Sequence, residues 1–390
     1  MKRLLYSVLM LQQLTQKILG CHREERSDVA ISHRRRFPRE IAAPSSRARN
    51  DILWVFPIAL LTALLLGACE TVVDVKPPPH EDRLVAQSFF TPDSLWVVRV
   101  THTVGYTSPE SPGFVDDATV EIWEEGHLRA QVAWADSGTY AIAGSGPVMD
   151  QRYTLRVSAP GYPSLEGSDA LPRPVPVTAF NETIVQSEDT TSRRQLTRLK
   201  ITLDDPPDVA NYYGLMVVQA RWLEDRAMGQ VTPLPPSLFI FESDDLALGE
   251  GEFDFLDTEK TLYREAFFTD GLFNGSTYTL DFDVQYDTPD PNADVVVRRV
   301  LAVVLLSVSE DFFRYWKTAG RQSFSNENPF AEPLRVHSNL TGGFGVFAGF
   351  QYRVFPLGAS TVNVAGYGLS DLCGLVGSTL PICGAGPPVR

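Results

Sequence analysis

Cysteine, histidine and helical periodicity are all scarce in this chain. Four cysteines and six histidines occur in 390 residues. The histidines from residue 69 onward are His80, His102, His127 and His337, and none falls in an HExxH or HxH spacing. Hydrolytic zinc centres place their ligands at such spacings, so that chemistry has no sequence support. No GxSxG elbow is present, which removes the commonest serine-hydrolase signature. Basic charge is also short: 34 Lys and Arg stand against 48 Asp and Glu, for a net charge of −14. An acidic surface repels nucleic acid and anionic headgroups, so neither is expected as a partner.

One long apolar run is present. Residues 52–68, ILWVFPIALLTALLLGA, carry no charge, follow Arg47 and Arg49, and end at Cys69. The run has 17 residues, whereas a spanning helix wants about 20. Its end, Leu66-Gly67-Ala68-Cys69, resembles the lipobox of bacterial lipoproteins: a branched apolar residue, two small residues, then a cysteine that takes the lipid and becomes the first mature residue. Small residues admit the chain to a peptidase, and the thiol is the nucleophile for acylation. The competing reading is an anchor helix ending in a chance cysteine. Residues 69–81 include Pro77-Pro78-Pro79, which favours an extended tether.

Residues 1–51 show charge clusters and no sustained apolar period, which reads as an extension that is disordered if made. The cut point also lies deep for an export signal of about 15–30 residues. A start placed too far upstream accounts for this, although no Met lies between Met10 and Met149. A basic nucleic-acid-binding arm is the alternative. Residues 1–68 hold 11 basic and 5 acidic residues, which leaves 23 basic and 43 acidic beyond them, a net charge of −20. Cys373 and Cys383 lie either side of GLVGSTLPI in the tail 367–390. In an oxidising compartment a disulfide closing that loop is expected, and no neighbouring cysteine or histidine pair suggests a metal.

Strand signals dominate the rest. DATVEIW (117–123) alternates, as do RYTLRVSAPGY (152–162) and TYTLDFDV (277–284), which puts Tyr278, Leu280, Phe282 and Val284 on one face. LKITL (199–203) and YYGLMVVQARW (212–222) add two more strands. VRRVLAVVLLSVS (297–309) is nearly continuous in Val and Leu, the pattern of a strand buried on both faces. The one convincing helix lies near 310–321, capped by Ser309-Glu310-Asp311. The fold class is all-β. An Ig-like sandwich over 82–172 is followed, after the Pro-rich segment 170–177, by a larger β-rich sandwich or barrel-like block over 178–366 with the single short helix.

Taken in order, DDATVEIWEEG, YTLRVSAPGY, ITLDDPPDVANYYGLMVV, FFTDGLFNGSTYTLDFDV and LLSVSEDFFRYWKTAGRQ, then NPFAEPLRVHSNLTGGFGVFAGF, resemble the domain-of-unknown-function 4249 family of Gram-negative envelope lipoproteins over roughly 69–355. The first block also resembles carboxypeptidase-regulatory and transthyretin-like sandwiches. The resemblance implies an outer-membrane lipoprotein, often associated with TonB-dependent receptors. It implies no reaction and supplies no catalytic residue.

The chemistry-bearing residues point the same way. His337 is the best-placed base, with a structural hydrogen-bonding role favoured for it. The acid pairs Asp116-Asp117, Asp204-Asp205, Asp244-Asp245 and Glu310-Asp311 are what a carboxylate-dependent glycan or peptide hydrolase draws on, but two carboxylates must meet in space. DTPDPNAD (287–294) offers oxygen ligands for Ca²⁺ without the EF-hand glycine or terminal glutamate, and reads as a solvated loop. NLTGGFGVFAGF (339–350) lacks the Lys and Ser/Thr of a phosphate loop, so its glycines are expected to permit tight turns or close strand approach. Trp96, Trp123, Trp134 and Trp222 lie in strand contexts, where core packing and a sugar platform both stay open. No catalytic residue, metal ligand or cofactor is assigned. The expected protein is a non-enzymatic lipoprotein of the outer membrane that binds a partner or ligand, with a hydrolase or a surface adhesion module as alternatives.

Overall fold

The structure is a computed structural model. It describes residues 80–358, apart from 93–95, 106–107, 109–110, 143–145, 186–193, 208, 250–260, 289, 291 and 327–333. The lipobox residues Leu66, Gly67, Ala68 and Cys69, and Cys373 and Cys383, lie outside the described residues.

Seven strands come first: β1 (Leu84–Phe90), β2 (Trp96–His102), β3 (Thr119–Glu124), β4 (His127–Asp136), β5 (Thr139–Ile142), β6 (Arg152–Ser158) and β7 (Leu165–Ala170). Their period-2 alternation sets which side is buried. In β6, Tyr153, Leu155 and Val157 are buried while Arg152, Arg156 and Ser158 are exposed. Two tight hairpins join neighbours: Glu125-Gly126 links β3 to β4 and Ser137-Gly138 links β4 to β5, all four residues having positive φ. That conformation matches the twist of the flanking strands.

Ten strands follow: β8 (Val177–Val185), β9 (Arg194–Asp204), β10 (Tyr212–Asp225), β11 (Gln230–Phe239), β12 (Phe241–Ser243), β13 (Thr261–Tyr263), β14 (Glu265–Thr269), β15 (Thr277–Asp287), β16 (Val295–Val308) and β17 (Phe344–Pro356). The helix α1 spans Glu310–Asn326, beginning where the capping residues place it and running five residues further than expected. Among the described residues no helix is long and apolar enough to cross a membrane.

Two sheets result. One has 12 strands in the order β11-β10-β16-β17-β1-β2-β5-β4-β3-β6-β7, with β14 also paired to β10; the other has the order β13-β12-β15-β9-β8. The 12-stranded path joins the two expected blocks through a parallel pairing of β1 with β17, Val85 opposite Phe344 through Phe90 opposite Gly349. The described residues accordingly belong to one compact unit. The Pro-rich segment 170–177 belongs to that unit: Leu171 and Val175 are buried, and the Val175 amide donates to Ser307 Oγ at 3.0 Å.

Three cores follow from this arrangement. Side chains of β1–β7 enclose Trp96, Tyr140, Tyr153 and Leu155, and this core is completed by Leu340 and by Phe347 of β17. The β10 and β16 strands have apolar layers on both faces. Leu215, Val217, Val303 and Leu305 meet Ile201, Leu280 and Phe282 of the five-stranded sheet. Met216, Val304 and Leu306 meet Phe312 and Tyr315 of α1. This explains the unbroken Val/Leu run, since each fully buried side chain of this size contributes roughly 1.5–3 kcal/mol.

The glycines of 339–350 allow the blocks to meet. A Cβ on Gly345, whose φ is +111°, lies 1.9 Å from the Ala86 carbonyl oxygen of β1. At Gly342 (φ +84°) it lies 2.1 Å from Ser164 O. Backbone approaches backbone there with no room for a side chain.

Candidate functional site

A group of titratable side chains, Asp169, Asp311 and His337, sits where β7, β17 and the first turn of α1 meet. Ser309 caps the helix: its Oγ accepts from the Phe312 amide at 3.3 Å, and its own amide donates to Gly349 O at 3.0 Å. Asp169 at the end of β7 accepts from the Gly349 amide at 2.9 Å and from Ala170 N at 2.8 Å, and it also bonds Ser309. His337 Nε2 lies 2.8 Å from Asp311 Oδ1, and Asn339 Nδ2 donates to Asp311 Oδ2 at 3.1 Å. Asn339 also pairs with both backbone groups of Phe347, while the His337 amide donates to Thr318 Oγ1. Thus Asp311, Asn339 and Thr318 strap the segment before β17 along the helix. Among the described residues no serine, threonine or cysteine lies within hydrogen-bonding distance of the His337 ring.

Burial pushes the Asp169 carboxyl up to about 6; hydrogen bonds from Ser309, Gly349 and Ala170 oppose this, and Asp311 adds repulsion. The folded pKa lies above the unfolded value, so the folded protein binds the extra proton between roughly pH 4 and 6. Stability from this group is full below that window and is lost as pH rises through it. Relative to an Asp169→Asn variant, the wild type is expected to lose up to about 3 kcal/mol between pH 4 and 6.5. Urea unfolding at several pH values checks this, and parallel stability profiles would refute it.

The acid pairs hold backbone and side-chain donors. Asp116 accepts from Trp134 Nε1 at 3.0 Å and from Gly138 N at 2.6 Å. Buried Asp205 accepts from the Tyr213 hydroxyl and from Gly275 N at 2.8 Å. Asp245 caps the short 3₁₀ turn Leu246–Leu248 and accepts from the Tyr278 hydroxyl at 2.6 Å and Asp281 N at 3.1 Å. Burial, then the Asp245 bond, pushes the Tyr278 phenol up to about 12; burial and Asp205 raise Tyr213 further. A carboxylate whose lone pairs already serve buried donors is poorly placed to serve a substrate. Asp283, on the face of TYTLDFDV read as polar, is buried and holds Arg198 at 3.1 Å.

The other sequence candidates also find local partners. His102 lies between Thr103 O (3.0 Å) and the Gly113 amide (3.2 Å), which fixes its tautomer as Nδ1–H. His80 Nε2 bonds Thr103 Oγ1, and His127 is exposed at the start of β4. In the 287–294 loop, Asp290 accepts from Asn292 N at 2.9 Å. Among the described residues no three His, Cys, Asp or Glu are placed to hold a metal ion. Trp96 is core, in edge contact with Tyr153; Trp123 lies under Arg156, and Trp134 alone of the four is more than half exposed.

The family model described as Domain of unknown function (DUF4249) matches residues 70–354. No protein of curated function matches the chain. Among solved structures, a crystal structure of a Salmonella alpha-2-macroglobulin mutant overlaps 74% of this chain with 11% identity and a TM-score of 0.21. The overlap covers 15% of that much longer protein and is too loose to bear on function.

Proposed function

The chain belongs to the DUF4249 family, and on that premise we propose that it is a lipid-anchored outer-membrane lipoprotein of non-enzymatic type, a partner- or ligand-binding accessory of a TonB-dependent uptake system. The observation that carries the anchoring is positional. The family match begins at Glu70, one residue after the cysteine that the Leu66-Gly67-Ala68 lipobox marks for acylation. Cleavage before Cys69 leaves the family-matched chain intact and places a Pro-rich tether between lipid and fold. The accessory role is supported by the internal hydrogen bonds that engage one carboxylate in each of the four candidate pairs, Asp116, Asp205, Asp245 and Asp311, which favours binding over hydrolysis as the use of the surface.

Extraction of the native protein in mild detergent tests the accessory role. A β-barrel receptor is expected to co-purify in stoichiometric amount. Isolation of the native lipoprotein with no associated barrel would overturn the accessory role while leaving the lipid anchor standing.

A further inference from the structure

Resting on the lipid-anchor reading, we propose that the fold itself also touches the bilayer, through Trp134, Phe114 and Phe344 at the end of the first block where the tether joins it. These three are the exposed aromatic side chains among the described residues, at 53%, 49% and 39%; the other described Phe, Trp and Tyr residues are buried or half-buried. They occur together. Phe344 of β17 is opposite Val85 of β1, Val85 is opposite Thr101 of β2, and Thr101 is opposite Phe114, so one rung carries both phenylalanines on one face. That face is the outer one, because the alternate residues Leu84, Ala86 and Val100 are buried in the core. Phe114 packs on the Ser137-Gly138 turn, its Cβ 3.0 Å from where a Cβ on Gly138 would lie. Trp134 is tied to the same turn, since Asp116 accepts from both Trp134 Nε1 and Gly138 N.

The chain enters the fold at this same end. His80, the first described residue, bonds Thr103 Oγ1 at 3.1 Å. The Arg83 amide donates to the same oxygen at 3.0 Å, and the Thr103 amide donates to Arg83 O at 2.9 Å. Thr103 stands two residues from Thr101, the partner of Phe114. Cys69 precedes His80 by 11 residues, a reach of at most about 40 Å when fully extended. Acyl chains at Cys69 therefore keep His80, and the aromatic patch beside it, within that distance of the bilayer.

Aromatic side chains favour the lipid–water interface, where the ring lies among headgroups and its polar edge keeps a partner. Trp134 meets both conditions: its ring is exposed while Nε1 stays bonded to Asp116. Arg99, 5.1 Å from the Phe114 ring centroid, places a cation at the rim of the patch. Asp116 and Asp136 lie at this end as well, and the chain from Cys69 onward has a net charge of −20. Neutral headgroups therefore suit the patch better than anionic ones. Contact here sets how the fold stands on the membrane, an orientation that a tether alone leaves free.

The test reconstitutes the native lipidated protein into phosphatidylcholine vesicles with brominated acyl chains, which quench tryptophan fluorescence at the bilayer. Wild type is expected to be quenched relative to unbrominated vesicles, and Trp134→Phe is expected to lose most of that quenching. Trp123 lies beside the Glu125-Gly126 turn, at the opposite end of β4 from Trp134. Trp123→Phe is therefore expected to keep the quenching, and thermal unfolding of both variants verifies that they fold. Flotation with the vesicles reads the anchor separately. Wild type that does not float overturns the anchor and, with it, the premise of the contact. Wild type that floats without bromine quenching, or is quenched no more than Trp134→Phe, overturns the contact and leaves the anchor standing. In native membranes, a Trp134 signal shielded from aqueous acrylamide but not quenched by bromolipid would assign the patch to a protein partner, which also overturns lipid contact.

Discussion

Gly345→Val is expected to destabilise the protein by roughly 4 kcal/mol or more, a loss of the size that marks backbone strain or core disruption. The position combines two demands. Its φ of +111° is one that L side chains rarely adopt, and a Cβ there overlaps the Ala86 carbonyl oxygen. Relief requires β17 to move away from β1, which breaks the parallel ladder and withdraws Phe347 from the first core. Total stabilities of folded domains are about 5–15 kcal/mol, so the variant is expected to fall largely into insoluble material. Gly126→Ala separates strain from overlap: its φ is also positive, yet nothing lies within 4 Å of the added Cβ. That exposed turn variant is expected to lose only about 1 kcal/mol. Urea midpoints of the two variants check the contrast, and similar midpoints would contradict the close-approach account of β17.

Cys69→Ala is expected to abolish lipidation and to leave the apolar run 52–68 on the chain. Without the thiol no acyl chain is added, and the proposed cleavage before residue 69 does not follow. Stable anchoring takes more than one chain or signal, because a single acyl chain binds with an association constant of only about 10⁴ M⁻¹. The wild-type protein is therefore expected in the membrane fraction, extracted by detergent and resistant to high salt. The alanine variant is expected to be recovered as an uncleaved precursor that lacks lipid. Electrophoretic migration with immunodetection, together with labelling by a tagged fatty acid, reads both. A variant that labels and migrates like wild type would contradict lipidation at this residue and return the 52–68 run to the role of an anchor helix.

The strands that alternate or run continuously apolar were legible in the sequence. DATVEIW, RYTLRVS, TYTLDFDV and the Val/Leu run of β16 are strands in the structure, and α1 starts at the residues its capping pattern indicates. β11 was not legible, because Pro233, Pro235 and Pro236 argue against a strand. It forms at the edge of the 12-stranded sheet, where a missing amide costs least. The Pro-rich segment 170–177 looked like a connector, yet Leu171 and Val175 anchor it in two different cores. Composition showed its lack of regular structure; its burial depends on the distant β17 and Ser307. Likewise the close approach of β17 to β1 joins residues about 260 apart in sequence, and no local pattern encodes such a pairing. The glycines at 342, 343, 345 and 349 announced that something must come near, without naming the partner.

The candidate chemistry was legible to the same degree. The acid pairs were visible, but their roles come from donors that only the fold supplies, such as Tyr213, Tyr278 and Gly275. Asp169 carried no signal beyond being an acid near the end of a strand that a proline follows.

Intact-mass analysis of the native protein after detergent extraction, with mapping of its N-terminal peptide, tests the lipoprotein account most directly. A chain whose first residue is Cys69 carrying a diacylglyceryl thioether, with or without an N-acyl chain, is the predicted result. An unmodified chain beginning upstream of residue 69 would contradict it.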